Sequence, residues 1–539
     1  MRKPYGTLWI SVLLFAVLMS LPWLVPHLGF LALFGFVPLL CAERVAEQRG
    51  VRRFWIWHYS AFVLWNAATT FWVGNATVGG AVFAILANSL QMSLVFGLFR
   101  LGKKRLGGVL PYIFLMTAWI AWERWYMVSA QISWPWLVLG NAFARSIKTI
   151  QWYEFTGTLG GSFWVWLSNL SLFGLMVSVL EGTFFRWNNF SKLCSLLGTV
   201  LVIGLPFAAS AHLWSHFEED SSLGSVDVII AQPDFDPYQK FESMTQEQQN
   251  TVLLEQFDAA MPDSAWNGLL IAPETFTGDI FLNDVGASAT WGRFNGFLKG
   301  HPGTNLLFGA STYEIFNQRS APSLLAREYG QGWIESHNSA FVTDASGRYD
   351  LFHKSKLVVG TELTPYPEVF VPIDDKLGGV MGRCIGQDRI SALNYSGPDT
   401  GKVPFGCAIC YESVYPEYCT GYVREGAQFM TIITNDAWWG DTPGYRQHAS
   451  YASLRAIELR RDIARCGNTG ISAFINQRGE FLTSTRWWQR ETLSGRVNRS
   501  DRETFFVRHG DIVGRVCTLA FLLLLALLLV SLFLPRRSR

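Results

Sequence analysis

Long apolar runs separated by short polar loops occupy the first two hundred or so residues of the chain. A helix that crosses a bilayer needs roughly 20 apolar residues. Eight stretches meet or approach this length, at about 7–26, 28–42, 54–73, 79–99, 107–127, 160–180, 193–213 and 512–534. The second stretch is short and is expected to form a hairpin with the first. The first is interpreted as a retained membrane helix, because no small-residue cleavage site of a signal peptide follows Pro22.

The pattern changes in residues 215–511, which are polar, Gly-rich and mixed in periodicity. Helical spacing is evident in Thr245 to Met261 and in Tyr445 to Cys466, and Gly347 and Gly479 close two predicted hairpin turns. Short β-rich runs recur at Val226 to Gln232, Leu269 to Glu274, Asn305 to Ala310, Ser339 to Thr343, Tyr349 to His353, Phe405 to Tyr411, Met430 to Asn435 and Ile471 to Ile475. This alternation predicts a layered α/β domain.

The chain is therefore predicted to contain three parts. Residues 1–214 form a polytopic α-helical membrane domain with seven spans, and residues 215–511 form an inserted α/β domain. Residues 512–539 supply an eighth span and a basic tail.

Positive charge in the short loops predicts the orientation, because cationic loops are retained in the cytoplasm. The loops on one side carry only Arg145 and Lys148. Those on the other side carry Arg2, Lys3, Arg44, Arg49, Arg52, Arg53, Arg100, Lys103, Lys104, Arg105, Arg186, Lys192, Arg536, Arg537 and Arg539. Both termini are expected in the cytoplasm, and the domain at 215–511 outside it.

Composition agrees with a membrane protein and excludes one class of partner. Half of the residues are hydrophobic, with 23 Trp and 40 Phe, which is too apolar for a soluble enzyme throughout. The formal net charge is +2 and no basic stripe is present, so nucleic acid is not expected as a partner. Glu123 and Arg124, near the end of the fifth span, are expected either to reach the interface or to pair with a neighbouring helix.

Residues able to do chemistry cluster where predicted strands end. Glu274 closes one strand, Lys354 follows another, Cys410 ends a third, and Asn435 and Asp436 follow a fourth. In open α/β sheets the ligand crevice lies outside the carboxyl ends of the strands. We therefore expect these side chains to share one site.

Glu274, Lys354 and Cys410 suffice for acyl transfer through a thioester. A cysteine is a strong nucleophile as its thiolate, so Cys410 needs a nearby base or cation. Glu274 can take the proton, and Lys354 can stabilise both the thiolate and the oxyanion. The backbone N–H of Tyr411, directly after the nucleophile, is the natural second oxyanion donor.

Four motifs carry a resemblance to a known superfamily. They are Ala272-Pro273-Glu274-Thr275, Phe352-His353-Lys354-Ser355-Lys356-Leu357-Val358, Ala408-Ile409-Cys410-Tyr411-Glu412 and Thr434-Asn435-Asp436-Ala437-Trp438-Trp439-Gly440. This ordered set resembles the carbon–nitrogen hydrolase, or nitrilase, superfamily. The resemblance implies a four-layer αββα sandwich with a Glu-Lys-Cys catalytic triad. The segment from Gln447-His448 to Ile471 is similar to the family's following segment.

The membrane spans point further, to the apolipoprotein N-acyltransferase branch of that superfamily. The resemblance implies transfer of an acyl chain from a phosphatidylethanolamine-like phospholipid to Cys410, and then to the α-amine of a diacylated lipoprotein N-terminus. It gives Glu274 as general base, Lys354 as oxyanion stabiliser and Cys410 as nucleophile. Neither a cofactor nor a metal is implied. Where the cell has two membranes, the inner membrane is expected, with a periplasmic catalytic domain.

Supporting roles are expected for residues near the triad. Glu362 matches a second family glutamate, and Tyr411 and Glu412 match positions beside the nucleophile. Val359-Gly360-Thr361-Glu362 departs from the commoner Pro-Phe-Gly-Glu sequence, and Lys356 stands where His is usual. Trp438 is a candidate for lining the acyl pocket, or alternatively for core or interfacial packing.

Three other interpretations remain open at this point. Cys407 and Cys410 could form a redox pair, although an apolar strand would turn them to opposite faces, and no second pair follows that could complete a zinc site. A membrane-anchored amidase would use the same thioester with water as acceptor. A non-catalytic membrane binding protein could retain the fold alone.

Overall fold

The computed structural model describes residues 5–397 and 401–533. The basic residues predicted at the termini, Arg2, Lys3, Arg536, Arg537 and Arg539, lie outside the described residues. The chain divides into two compact units. The first contains residues 1–130, 134–217 and 509–539, and the second contains residues 131–133 and 218–508.

The first unit is helical, and each apolar stretch predicted from the sequence is helical over most of its length. Its principal helices are Tyr5–Leu24, Val37–Gln48, Trp55–Thr70, Val78–Lys103, Leu110–Val128, Tyr153–Leu180, Asn189–His216 and Ile512–Phe533. Within the described residues, six segments are long and apolar enough to cross a membrane: Tyr5–Leu24, Gly29–Gln48, Val78–Lys103, Tyr153–Leu180, Asn189–His216 and Ile512–Phe533. The helix Trp55–Thr70 has 16 residues and Leu110–Val128 has 19.

Glu123 anchors the irregular segment that follows helix Leu110–Val128. Its fully buried carboxylate accepts hydrogen bonds from the Leu139 N–H at 2.9 Å and from Trp119 Nε1 at 3.1 Å. The next N–H along the chain, that of Gly140, donates to Ser162 Oγ at 3.1 Å. Backbone polar groups outside regular helices need such partners at membrane depth. Glu123 therefore has a structural role in this unit.

Arg124 forms an ion pair with Asp511, with Nε 3.7 Å from Oδ2. Asp511 directly precedes the helix Ile512–Phe533. The pair therefore connects the fifth predicted span to the last. Of the two alternatives expected for Arg124, it adopts the pairing with a neighbouring helix.

The second unit contains two β-sheets. Its strands are β1 (Ser225–Gln232), β2 (Leu269–Ile271), β3 (Thr277–Phe281), β4 (Asn305–Phe316), β5 (Arg327–Tyr329), β6 (Gly332–Asp344), β7 (Tyr349–His353), β8 (Leu393–Gly397), β9 (Gly401–Ile409), β10 (Met430–Thr434), β11 (Ile463–Gly467), β12 (Ala473–Ile475), β13 (Phe481–Ser484) and β14 (Glu491–Asn498). One sheet has the order β14-β1-β2-β4-β6-β5, with β3 paired to β4 and β7 paired to β6. The other has the order β13-β12-β11-β10-β9-β8. β1, β2 and β4 run parallel in the first sheet, as do β9, β10 and β11 in the second.

Side chains alternate between two cores, and this alternation defines the layers. Val228 and Ile230 of β1 lie in the same core cluster as Cys466 of β11, whose Sγ reaches across to the carbonyl oxygens of Ala231 and Ile271 in the first sheet. Ile229 of β1 instead packs with Leu253 on the outer face. The unit's helices are Pro237–Glu242, Gln246–Ala260, Ala289–Lys299, Pro367–Lys376, Pro416–Arg424, Pro443–Leu459 and Phe505–His509. With Gln246–Ala260 and Ala289–Lys299 on one sheet and Pro416–Arg424 and Pro443–Leu459 on the other, the fold is the four-layer αββα sandwich that the resemblance implies.

The predicted helix from Tyr445 to Cys466 is wrong at its C-terminal end. The helix is Pro443–Leu459, and Arg460 ends it with a left-handed φ of 49°. The residues that follow form β11, which pairs in parallel with β10. Pairing at the centre of a sheet overrides the helical spacing that the sequence alone displays.

Candidate active site

The backbone around Glu274 is held in an unusual conformation. Ala272 and Pro273 connect β2 to Glu274, and Thr275 has a φ of +45°. Gly309 of β4 passes so close that a Cβ there would lie 2.6 Å from the Glu274 Cα. The tight contact and the positive φ together fix the direction of the Glu274 side chain.

Lys354 lies between two carboxylates at the end of β7. Its Nζ is 2.9 Å from Glu274 Oε1 and 2.9 Å from Glu362 Oε1. Asn338 of β6 bridges the same two oxygens, because its Nδ2 donates to Glu274 at 2.8 Å and to Glu362 at 2.7 Å. The Asn435 N–H donates to the other Glu274 oxygen at 3.1 Å. The ends of β2, β7 and β10 thus meet at one site.

The lysine at this site remains charged. Burial alone would lower the pKa of Lys354, but the Glu274 and Glu362 carboxylates outweigh burial and raise the pKa well above its ordinary value. A permanently protonated Lys354 can stabilise negative charge, and it cannot act as a base near neutral pH.

Cys410 follows β9 directly and has a left-handed φ of +51°. The chain then forms a short helical turn, Cys410–Val414. A non-glycine residue in this conformation is strained and needs surrounding contacts to hold it. Such a strand-to-turn corner projects the side chain away from the sheet, as a nucleophile requires.

Glu412 supplies some of the contacts that hold this corner. It is fully buried, and its carboxylate accepts five hydrogen bonds. The donors are the N–H groups of Ile409 (2.9 Å), Ser355 (2.7 Å) and Lys356 (3.2 Å) and the hydroxyls of Tyr418 (2.7 Å) and Tyr422 (3.1 Å). Because Ser355 and Lys356 follow Lys354, one carboxylate joins the nucleophile's corner to the chain that carries the lysine.

The Cys410 thiol is protonated at rest. Burial and the Glu274 carboxylate raise its pKa well above the ordinary value, while the Lys354 ammonium opposes them. The nucleophile must therefore lose its proton as it attacks, and a carboxylate near enough to perturb the thiol's pKa is suited to receive that proton.

Asp436 and His448 lie next to Cys410, and ligand-type atoms of the three residues lie within 4.8 Å of one another. His448 Nδ1 is 2.9 Å from Asp436 Oδ1, and the Arg465 guanidinium is 2.6 Å from Asp436 Oδ2. Burial alone would raise the pKa of Asp436, but His448 and Arg465 lower it to about 2. A metal ion would have to displace these hydrogen bonds beside a buried cation, so the cluster is better described as a hydrogen-bonded relay.

The remaining predicted site residues lie in different surroundings. The Tyr411 hydroxyl donates to the Ser133 carbonyl oxygen at 3.0 Å, and its ring packs edge-on against Tyr415. Trp438 is 36% exposed, and its ring packs against Tyr238 with centroids 5.8 Å apart. Trp438 therefore lies at the surface of the second unit, in contact with Tyr238.

Two polar residues that contact this site, Asn338 and Lys240, were not predicted from the sequence. Asn338 is buried in β6 between His337 and Ser339, and nothing in this polar stretch of sequence marks it as a site residue. Lys240 is buried too, and its Nζ donates to the carbonyl oxygen of Thr275, beside Glu274. Burial lowers the pKa of Lys240 to about 8, against the opposing effect of Glu274. A lysine in a polar segment carries no signal that it will be buried.

Comparisons with known proteins agree with this architecture. Residues 15–171 match the apolipoprotein N-acyltransferase N-terminal domain, and residues 320–505 match the carbon–nitrogen hydrolase family. A protein from Chlorobaculum tepidum named apolipoprotein N-acyltransferase is 29% identical over 96% of this chain and 95% of its own length. Another of that name, from Geobacter metallireducens, is 27% identical over 94% of this chain and 93% of its own length.

Solved structures similar to this chain include Saccharomyces cerevisiae Nit3, a member of branch 10 of the nitrilase superfamily. It is 15% identical, covers 55% of this chain and 97% of its own, and has a TM-score of 0.37. The matched domains account for the membrane helices and for the sheet domain. The chain therefore belongs to the apolipoprotein N-acyltransferase family, the multi-pass membrane acyltransferases of the nitrilase superfamily.

Proposed function

We propose that this protein moves a fatty acyl chain from a membrane phospholipid to Cys410, and then to the α-amine of a diacylglyceryl-cysteine at a lipoprotein N-terminus. The observation that carries the proposal is the Glu274–Lys354–Glu362 cluster beside a strained, half-buried cysteine. This cluster supplies a base and a fixed positive charge where an ester carbonyl would be attacked.

In the first half-reaction Glu274 takes the Cys410 proton as Sγ attacks the ester carbonyl carbon. The oxyanion that forms is stabilised by the Lys354 ammonium and by the Tyr411 N–H. The C–O bond to glycerol then breaks, and Glu274 returns the proton to the departing glycerol oxygen. The products are a Cys410 thioester and a lysophospholipid.

In the second half-reaction the acceptor amine attacks the thioester carbonyl. Glu274 takes a proton from the amine, the C–N bond forms and the C–S bond breaks. The proton then passes to the Cys410 sulfur, which restores the thiol. Glu362 acts through Lys354 in both halves, and Glu412 acts by holding the corner at Cys410.

A stripe of exposed apolar side chains supports a lipid donor. The helix Pro367–Lys376 and the residues after it expose Val369, Ile373, Leu377 and Val380 at 56%, 47%, 69% and 78%. We call these four residues the apolar stripe. Glu362 and the apolar stripe lie on the same excursion of chain between β7 and β8. Water disfavours such a surface, whereas a bilayer interface accommodates it.

We further infer that residues 1–214 and 512–539 form the membrane domain and that residues 215–511 form the periplasmic catalytic domain. The positive charge of alternate loops supports this orientation, with both termini in the cytoplasm of the inner membrane. A phosphatidylethanolamine-like phospholipid is the proposed donor.

Intact-mass measurement on the purified full-length protein tests the proposal. After incubation with phosphatidylethanolamine, we expect a hydroxylamine-labile mass gain of one acyl chain, and the Cys410→Ser variant should lack it. Addition of a diacylated lipopeptide should discharge the acyl group onto the peptide amine.

Two outcomes would contradict the proposal. Rapid discharge to water without lipopeptide would indicate an amidase-type hydrolase. A wild-type protein that gains no mass, while its Cys410 still reacts with a small activated ester, would exclude phosphatidylethanolamine as donor. Cys407→Ser is the matched control, because Cys407 is a free thiol buried in the core between the sheets.

A further inference from the structure

The carbonyl oxygen of Cys410 accepts hydrogen bonds from two side chains. Ser413 Oγ donates to it at 2.7 Å, and His448 Nε2 lies 3.2 Å from it. The same two side chains are 3.1 Å apart. Two donors on one carbonyl, at a residue with a φ of +51°, hold the peptide group that follows the nucleophile.

His448 is itself held from behind. Its Nδ1 contacts Asp436, and Asp436 is fixed by Thr434 Oγ1 at 2.7 Å and by Arg465 at 2.6 Å. Asp436 and Arg465 are fully buried, and His448 nearly so. The Asp436 carboxylate therefore accepts from Nδ1–H and orients the imidazole so that Nε2 faces the Cys410 carbonyl.

The peptide group between Cys410 and Tyr411 transmits this orientation. A trans peptide is planar, so its C=O and N–H point in opposite directions. When Ser413 and His448 fix the carbonyl oxygen, they also fix the direction of the Tyr411 N–H. Hydrogen bonds accepted by the carbonyl polarise the peptide and strengthen its N–H as a donor.

We propose that Asp436 and His448 are positioning residues that orient the Tyr411 N–H towards the oxyanion formed at Cys410. The inference rests on the proposed function, because it takes Cys410 as the nucleophile. His448 does not act as the base, since its Nε2 is engaged by the carbonyl oxygen and Nδ1 by Asp436. His448 should therefore speed the reaction of Cys410 with any acyl donor, because every such reaction passes through an oxyanion.

Two reactions of the same thiol test the proposal in the full-length protein. Acylation by p-nitrophenyl butyrate passes through an oxyanion, whereas alkylation by iodoacetamide is a direct displacement and does not. We expect His448→Ala to slow acylation by about 10- to 100-fold, below the loss from deleting an oxyanion donor outright. The alkylation rate should stay within about twofold of wild type.

Two further variants make the test specific. His448→Gln keeps a side-chain N–H near the position of Nε2 and should restore most of the acylation rate. Ser413→Ala removes the other donor to the same carbonyl while the contact between His448 and Asp436 stays in place, and it should slow acylation while sparing alkylation. It also keeps the test informative if His448→Ala does not fold.

An equal fall in acylation and alkylation in the soluble, folded variants would overturn the proposal, because it would show that His448 acts on the thiol or on the fold. Unchanged acylation in both His448→Ala and Ser413→Ala would overturn it too. Failure of the wild-type protein to react with phosphatidylethanolamine would count only against the lipid donor, since the variant ratios use an ester that is not a lipid.

Discussion

At the scale of single residues, two buried ammonium groups hold the chain at Glu274. Lys354 contacts the Glu274 carboxylate directly at 2.9 Å, and Lys240 is tied to the neighbouring carbonyl oxygen of Thr275. Lys240 therefore holds the strained residue that follows Glu274.

Lys240→Met should slow acylation of Cys410 by about tenfold, because it removes the ammonium that holds the Thr275 carbonyl oxygen beside Glu274. Lys240→Arg keeps a charged donor and should lie closer to wild type. Single-turnover acylation measures the effect, and an unchanged rate in Lys240→Met would contradict it.

Glu362→Gln should slow acylation of Cys410 by about 10- to 100-fold without abolishing it. Glu362 holds Lys354 at 2.9 Å and accepts the Val358 N–H at 2.8 Å. A neutral amide loses part of the charge that orients the ammonium, while Glu274 still contacts Lys354. A loss of this size is typical of a displaced catalytic group. Single-turnover acylation measures it, and Glu368→Gln, on the helix Pro367–Lys376, is the matched control.

At the scale of elements, parallel strands bring the candidate residues together. Cys410 directly follows β9, and Lys354 directly follows β7. Glu274 comes three residues after the end of β2, and Asn435 directly follows β10. The apolar stripe belongs to the excursion between β7 and β8, which also contains Glu362. This excursion therefore combines a charged contact with Lys354 and a surface suited to lipid.

Replacing Val369, Ile373 and Leu377 together by Ser should weaken use of phosphatidylethanolamine vesicles as donor. These side chains are exposed, so the folded unit should lose little stability. We expect KM for vesicles to rise about tenfold, as about 1.4 kcal/mol of lost apolar contact would give. The rate with p-nitrophenyl butyrate should not change. Equal losses with both donors would show that the stripe supports the site and not lipid binding.

At the scale of the whole molecule, Asp462 links the two sheets of the sandwich. Its carbonyl oxygen accepts the Met430 N–H of β10 at 2.9 Å, and its carboxylate accepts the Asn498 N–H of β14 at 2.7 Å. Burial raises the pKa of this carboxyl to about 7. A charged Asp462 is therefore a source of instability in the folded protein.

The free energy of unfolding should accordingly fall as pH rises from about 4 to about 7. Below the pKa of the unfolded state the carboxyl is protonated in both states, so it does not change the free energy of unfolding with pH. Between the two pKa values only the unfolded state has released the proton, and rising pH therefore favours unfolding. The rise from 3.8 to about 7 corresponds to at most about 5 kcal/mol, at about 1.4 kcal/mol per pH unit. Asp462→Asn should reduce this loss, so its melting temperature should exceed that of wild type at pH 8 and not at pH 4. A variant with the wild-type pH dependence would contradict this.

Local sequence was enough to predict several features. Apolar length is a local property, and all eight predicted stretches are helical over most of their lengths. β7 has the predicted bounds, Tyr349–His353, and Gly347 and Gly479 have the positive φ expected at the two turns. The short motifs around Glu274, Lys354 and Cys410 indicated the family, because each motif is a run of adjacent residues that can be recognised without knowing the fold.

Only the tertiary structure decided what surrounds those motifs. Lys240 and Asn338 contact the Glu274 region from other elements, Glu412 collects five donors, and the chain after Arg460 forms a central strand in place of a helix. Burial and hydrogen bonding depend on which distant segments become neighbours, and periodicity within a segment does not contain that information. The sequence determined which groups are available for acyl transfer. The fold decided which of them meet, because it brings distant segments together, and the resulting distances and burial then set the charge of each group.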